Sequence, residues 1–320
     1  MNILSIIVFI PLQILFVPLA VIGALLVFYK QVIVSRKLAL SLTAIEVVNG
    51  RWTMHVFGLR KDEATAKLAK VLPNTSLTGL WACLFPLWVK AKISGRHSIY
   101  PRVPEPGSET LADLITARTL YIDRIIERGI ESAEQFVVLG AGYDTRAYGE
   151  LQKQGISFFE LDQPAVQNHK IACLDAAGIN RDHVSYVSVE FGKDSIVDKL
   201  IESGFNTAKQ TVFLWEGVTL YLSEEDVRKT LREIRDATGP GSVIIVDIYA
   251  DRIVGWANKG YMKKTLDQTD EGLNFSLDLS ADYEKVLAEF VESESLSIGE
   301  AVFMGSSNKQ GPFVVVAELK

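Results

Sequence analysis

The stretch FVVLGAGYDTR, residues 136–146, decides the fold. Residues 136–139 are an apolar run suited to a buried parallel strand. The run breaks into Gly140-Ala141-Gly142, where side chains all but vanish and backbone can approach a ligand. Asp144 and Arg146 follow at once. Apolar strand, glycine turn and helix form the mononucleotide-binding opening of a doubly wound α/β fold. The dinucleotide fingerprint needs a third glycine three positions after the second, and that place holds Thr145. The turn therefore suits a nucleoside better than a diphosphate.

Working outward, apolar runs alternate with helical patterns, which argues for a parallel sheet covered on both faces. A helix is expected from Ser108 to Arg128 with Gly129 as C-cap, then strands at 136–139, 156–161, 184–189, 211–215 and 242–249. Helices are expected at 164–177, 194–203 and 223–238, the last with Ser223 as N-cap, and at 280–291 with Ser280 as N-cap. Residues 256–274 read as a polar insert near the active face. Two closing strands, 296–304 and 312–318, flank a hairpin-like turn at 308–311.

The N-terminus is a different material. Residues 3–29 contain no charged residue. A bilayer needs about 20 apolar residues, so the run is long enough to span, and Pro11 and Pro18 are tolerable in lipid. A cleaved signal peptide expects a basic start and a shorter core. Lys30, Arg36 and Lys37 follow the run and none precedes it, which places the downstream chain on the cytoplasmic side. The 320 residues carry a net charge of -6 and two cysteines, Cys83 and Cys173. The acidic balance argues against a general nucleic-acid binder, and two distant cysteines give neither a disulfide framework nor a metal cluster.

Residues 30–108 read as a helical lid or substrate region. A helical stretch is expected over 31–70 with a break at Asn49-Gly50, and a short helix over 61–72. The apolar stretch LTGLWACLFPLWV, residues 77–89, is too short to span. It lies in a membrane interface or lines an apolar pocket, or it is an ordinary buried helix; spacing does not separate these. Three prolines in residues 95–108 mark a loop and the domain boundary. The division is therefore anchor 1–29, lid 30–108 and nucleoside-binding domain 109–320.

Ligands of open α/β sheets bind beyond the C-terminal strand ends. Gly140, Ala141, Gly142, Asp144, Asp162, Glu190 and Glu216 all fall there. Asp162 lies twenty residues after Gly142, where a carboxylate accepts ribose hydroxyls; capping the helix at Pro164 is the plainer role. Acids at successive strand ends suit a ligand with hydroxyls, an adenine amine and a cationic ammonium or sulfonium.

The segments ARTLYID (117–123), VVLGAGYDTRAY (137–148), FELDQPAVQNHK (159–170) and LWEGVTLYLSEEDV (214–227) resemble the leucine carboxyl methyltransferase-like family of class I S-adenosylmethionine enzymes. The resemblance implies a Rossmann-like, mostly parallel seven-stranded sheet with a C-terminal antiparallel hairpin, and S-adenosyl-L-methionine as cofactor. It implies that Arg118 binds the cofactor carboxylate, that the Gly140–Gly142 turn meets the amino-acid moiety, and that Asp162 holds the ribose. Glu190 stands where the family usually has an Asp near the adenine. Glu216 would lie near the methionine amino group or the acceptor entrance, with Asp144 and Arg146 bracing the loop. Gly149-Glu150-Leu151 replaces the family's usual Arg-Leu continuation. Lys90, Lys92 and Arg96 are candidates for the N-terminal lysine that eukaryotic members set on the cofactor.

A carboxylate acceptor needs no general base, whereas a hydroxyl or thiol does. Tyr221, Tyr249 and His97 are candidates for that role, but strand-end packing for the tyrosines and a solvated loop for the histidine are the plainer roles, and no catalytic base is assigned. The anchor and the Trp-bearing stretch favour a membrane-tethered O-methyltransferase acting on an apolar small molecule. Rival readings are a protein C-terminal carboxyl methyltransferase, a non-catalytic membrane scaffold and, more distantly, a nicotinamide oxidoreductase.

Overall fold

The computed structural model describes residues 3–149, 151–152, 155–259 and 272–320. Most of the insert expected at 256–274, and Glu150 of the Gly149-Glu150-Leu151 substitution, lie outside the described residues.

The sheet is built from β1 (Gln135–Leu139), β2 (Ser157–Asp162), β3 (Val184–Ser188), β4 (Thr211–Trp215), β5 (Val243–Tyr249), β6 (Ile298–Met304) and β7 (Val314–Leu319). Their order is β3-β2-β1-β4-β5-β7-β6. β1 pairs in parallel with both β2 and β4, so the chain reverses direction of build at β1. β7 enters antiparallel between β5 and β6, which is the expected terminal hairpin. Alternate residues of β1 face opposite layers. Phe136 and Val138 join a core with α6 (Leu114–Gly129), and Val137 and Leu139 join one with α9 (Glu224–Asp236) and α11 (Tyr283–Ser293).

The N-terminal part is all helical: α1 (Ile3–Phe28), a π-helical turn (Tyr29–Val34), α2 (Ser35–Leu38), α3 (Leu42–Phe57), α4 (Glu63–Val71) and α5 (Leu77–Ser94). Of these, α3, α4 and α5 share a third core with α7 (Pro164–Ala176), through Ile45, Trp52, Leu68, Leu84 and Leu174. Tyr143 of the glycine turn sits in the same core. The remaining helices are α8 (Ile196–Glu202) and α10 (Asp251–Ala257).

Several local expectations change. Asn49-Gly50 does not break a helix; α3 runs through both, and the break comes at Ala39, in the left-handed region at φ 52°. Gly50 is there because a Cβ would stand 2.5 Å from Ile115 Cγ2, so glycine lets α3 approach α6. Gly129 is not a C-cap: α6 includes it and ends at Ile130. Ser280 caps nothing; its hydroxyl donates to Asp278 at 2.6 Å, and α11 starts after Asp282. Ser223 does cap α9, accepting the Asp226 N–H at 3.2 Å. The loop at 95–108 is stitched to the sheet domain, with Arg102 donating to both oxygens of Asp113 at 2.7 and 2.6 Å.

Candidate functional site

A cavity of about 1510 Å³ lies beyond the C-terminal ends of β1, β2 and β4. Arg118, Gly140, Ala141, Gly142, Asp144, Asp162, Glu190 and Glu216 all line it. Gly140 and Glu216, 76 positions apart in sequence, thus meet because parallel strands bring their ends to one edge. The cavity continues to α1 and α5, where Ala24, Val27, Phe28, Leu80, Cys83 and Leu84 form its wall.

The turn is fixed by its glycines. Gly140 has φ +65°, and a Cβ on it would stand 2.5 Å from Val218 Cγ2. Gly142 has φ +44°, but a Cβ there would find no atom nearer than 4.0 Å. Both need the conformational freedom of glycine; at Gly142 the emptiness also lets a ligand reach the backbone. Asp162 accepts the Gly142 N–H at 2.6 Å and the Gln163 N–H at 2.7 Å. It therefore ties the turn to β2 rather than capping the interior of α7. A carboxylate accepts up to about four hydrogen bonds, so capacity remains for ligand hydroxyls. Burial raises its pKa against those two N–H groups. Glu190 sits exposed at the rim, paired with Lys193 at 2.5 Å.

Behind the turn lies a buried charge network. Arg51 of α3 donates to Asp144 at 2.7 Å and to Glu216 at 2.8 Å. Arg146 donates to Asp123 at 2.6 Å, Asp144 at 2.5 Å and Glu216 at 2.6 Å. Arg118 donates to Asp247 at 2.8 Å and to the Tyr249 hydroxyl, and stands 3.1 Å from Glu216. Burial disfavours charge on Glu216, but Arg146, Arg51 and Arg118 prevail and hold its carboxyl at about 2. The same contest, won by Arg146 and Arg51, drives Asp144 far below the ordinary range. For Asp247 burial wins over Arg118 and the pKa rises.

Within the loop, Asp144 accepts both the Arg146 backbone N–H at 2.8 Å and its guanidinium at 2.5 Å. Arg118 was expected to hold a ligand carboxylate; both its terminal nitrogens already face protein acids, while its buried Nε has no partner among the described residues. Lys90, Lys92 and Arg96 do not line the cavity. Lys90 is buried and donates to Ser98 at 2.6 Å, and Lys92 lies over the Trp88 ring. The cation that the accessory helices bring to this end is Arg51, which sequence reasoning missed. Its signal was a lone charge in the apolar setting of VVNGRWTMHVF, residues 47–57. Tyr249 is fully buried and burial raises its pKa, against Arg118; this fits an arginine partner and not a base. His97 is half-buried beside the Phe57 ring, outside the cavity wall. Tyr221 does line the cavity, 2.6 Å from the Thr43 hydroxyl.

Residues 88–235, which carry β1 to β4 and the glycine turn, match the model of the leucine carboxyl methyltransferase family. The chain has curated bacterial relatives provisionally named S-adenosyl-L-methionine-dependent methyltransferases. YktD of Bacillus subtilis (strain 168) is 33% identical over 42% of this chain and 45% of its own length. A protein of Mycobacterium avium (strain 104) is 30% identical over 45% of this chain and 48% of its own. The chain thus spans about half the length of the curated relatives it matches. Among solved structures, an O-methyltransferase family protein from Burkholderia thailandensis is 13% identical, with a TM-score of 0.44 over 64% of this chain and 57% of its own. Arg51, α1 and most of α5 lie outside the family segment.

Proposed function

We propose that this chain is an S-adenosyl-L-methionine-dependent methyltransferase that methylates an oxygen of an apolar small molecule drawn from a membrane. One observation carries the reading: a single cavity runs from the methyltransferase turn to the apolar helices α1 and α5. The residues present suit the cofactor. The Gly140–Gly142 backbone would meet its methionine end, Asp162 its ribose and Glu190 its adenine side. Glu216, Arg118 and Arg51 supply charges of both signs at the amino-acid end.

When bound, the cofactor supplies an electrophilic methyl on a sulfonium. The chain's own residues then have to align the acceptor and exclude water, the larger part of such catalysis. The network around Glu216 fixes the turn in advance, so little reorganisation is needed on binding. The apolar wall at Leu80 and Leu84 excludes water from the acceptor end. The family match favours a carboxylate acceptor, which needs no base. Lys30, Arg36 and Lys37 after the apolar helix favour the anionic cytoplasmic leaflet of the membrane.

Calorimetric titration of the full chain in detergent tests the cofactor. Heat on adding S-adenosylhomocysteine is expected; its absence from a folded sample rejects the reading. Membranes incubated with methyl-labelled cofactor test the acceptor. Label is expected in the lipid extract, whereas label confined to protein would favour the protein carboxyl methyltransferase.

A further inference from the structure

The helix α1 lies along the body of the protein. Gly23 meets Gly79 so closely that a Cβ on either would stand 2.6–2.7 Å from the other's carbonyl oxygen. Cys83 Sγ donates to the Ala20 carbonyl at 3.4 Å, and the Phe16 and Phe85 rings stack at 5.1 Å. Numbers fall along α1 as they rise along α5, so the two helices are antiparallel. α5 is in turn fastened to α3 along its length. Trp81 meets Trp52 edge-on at 5.7 Å, and Trp88 Nε1 donates to the Val56 carbonyl at 3.2 Å. At the other end, Lys30 donates to the Pro73 carbonyl at 2.8 Å.

This arrangement bears on how the apolar helix meets lipid. A helix of 26 residues is about 39 Å long and could cross a bilayer. To cross in this arrangement it would draw α5 in with it, and the end of α3 behind that. Arg60 follows three residues after Phe57 and is paired with Asp123 at 2.5 Å. A charge at the bilayer centre costs at least about 2.5–3.5 kcal/mol. Helices that lie in an interface normally carry their own polar face. α1 has none; α5 and the body beneath it take that place. Its other sides are apolar: Leu4, Ile7, Ile14, Leu15, Ile22 and Leu25 are all 55–71% exposed.

We propose that α1 is embedded in the plane of one leaflet, seated on α5, and does not cross the bilayer. The occupant of its exposed face is lipid acyl chain. Exposed Arg36 and Lys37 stand beyond one end of α1 and exposed Lys92 and Arg96 at the end of α5, where anionic headgroups would meet them. Tyr29 and Trp88 take the interfacial positions that aromatic residues favour. The cavity wall at Ala24, Val27 and Phe28 then faces the same leaflet. The proposal does not depend on methyl transfer.

Full-length protein with a protease-cleavable tag at each end, in inside-out vesicles from an expressing bacterium, tests it. Both tags are expected to be cut from outside while the protein stays with the vesicles. An N-terminal tag protected while the C-terminal one is cut overturns the proposal in favour of crossing. Protein found free of membranes, or released by mild detergent as a dimer that cross-links through α1, overturns it in favour of solvent or a second copy. Ala20→Cys places a second thiol beside Cys83. Oxidation is expected to join the two within the membrane-bound protein; failure to join means that α1 leaves α5 in lipid, which also overturns it.

Discussion

Arg51 and Glu216 are 165 positions apart in sequence and 2.8 Å apart in space. The contact welds an accessory helix to the end of β4. It sets Arg51 of α3 in the cavity wall beside the glycine turn. Removing one partner of a buried pair leaves the other charge uncompensated, at about 3–5 kcal/mol. Arg51→Ala should therefore lower the melting temperature markedly. Arg51→Lys keeps the charge but has no fork to reach both Asp144 and Glu216. It should fold and bind S-adenosylhomocysteine about tenfold more weakly, a loss of about 1.4 kcal/mol. Thermal melts and calorimetry on the two variants check this; unchanged affinity in Arg51→Lys would count against the assignment.

The same carboxylate predicts an acid limit. The Glu216 pKa is about 2 in the folded chain against an ordinary value of 4.5. A depressed folded pKa contributes stability that is complete above the unfolded value and is lost as pH falls through the folded one. Stability should therefore decline from about pH 4.5 towards pH 2. Asp144 acts in the same direction, and Asp247 and Glu160, raised by burial, in the opposite one. Glu216→Gln should start less stable at pH 7 yet show a shallower acid slope. Urea midpoints measured across that range for both proteins give the comparison.

Gly140 and Gly142 separate folding from binding. Gly140→Ala meets both a strained φ and Val218, and should destabilise by roughly 1–3 kcal/mol. Val218→Ala should recover part of that loss. Gly142→Ala meets only the strained φ, at about 1 kcal/mol, yet its methyl fills space a ligand would need. It should fold and lose cofactor affinity. A Gly142→Ala protein that binds S-adenosylhomocysteine normally would move the cofactor away from this turn.

The sheet was legible because its signals are local. Each parallel strand is an apolar run with a glycine or an acid at its end or within two residues of it, and seven of the eight proposed site residues fall at such ends, Arg118 lying on α6. What stayed hidden depends on distant partners. Asn49-Gly50 looked like a break because glycine costs a helix about 1 kcal/mol relative to alanine; nothing near it in sequence announces Ile115. Arg51 looked ordinary because its acids, Asp144 and Glu216, lie beyond the ends of β1 and β4. The antiparallel seat of α1 on α5 depends on Gly23 facing Gly79, which neither helix reveals alone.

Gly50 turns that lesson into a measurement. In an exposed helix interior Gly→Ala would stabilise by about 1 kcal/mol. Here the added methyl meets Ile115 at 2.5 Å, so Gly50→Ala should instead destabilise by roughly 1–3 kcal/mol, the range for overpacking. The double variant with Ile115→Ala should melt higher than Gly50→Ala alone. Independent, additive effects would mean that α3 and α6 are not in contact there.

The acceptor end can be altered without touching the cofactor end. Leu80 lines the cavity from α5 and is only half-buried, so a polar side chain there need not unfold the protein. Leu80→Gln places an amide against an acceptor chain, and burying an amide without a partner costs about 1–3 kcal/mol. Transfer of label into the lipid extract should fall about tenfold, the equivalent of roughly 1.4 kcal/mol. S-adenosylhomocysteine affinity should stay within about twofold, because Gly142, Asp162 and Glu216 are untouched. Equal loss of both would mean that the variant disturbs the whole cavity. Loss of neither would take the acceptor away from α5 and leave the apolar wall a purely structural one.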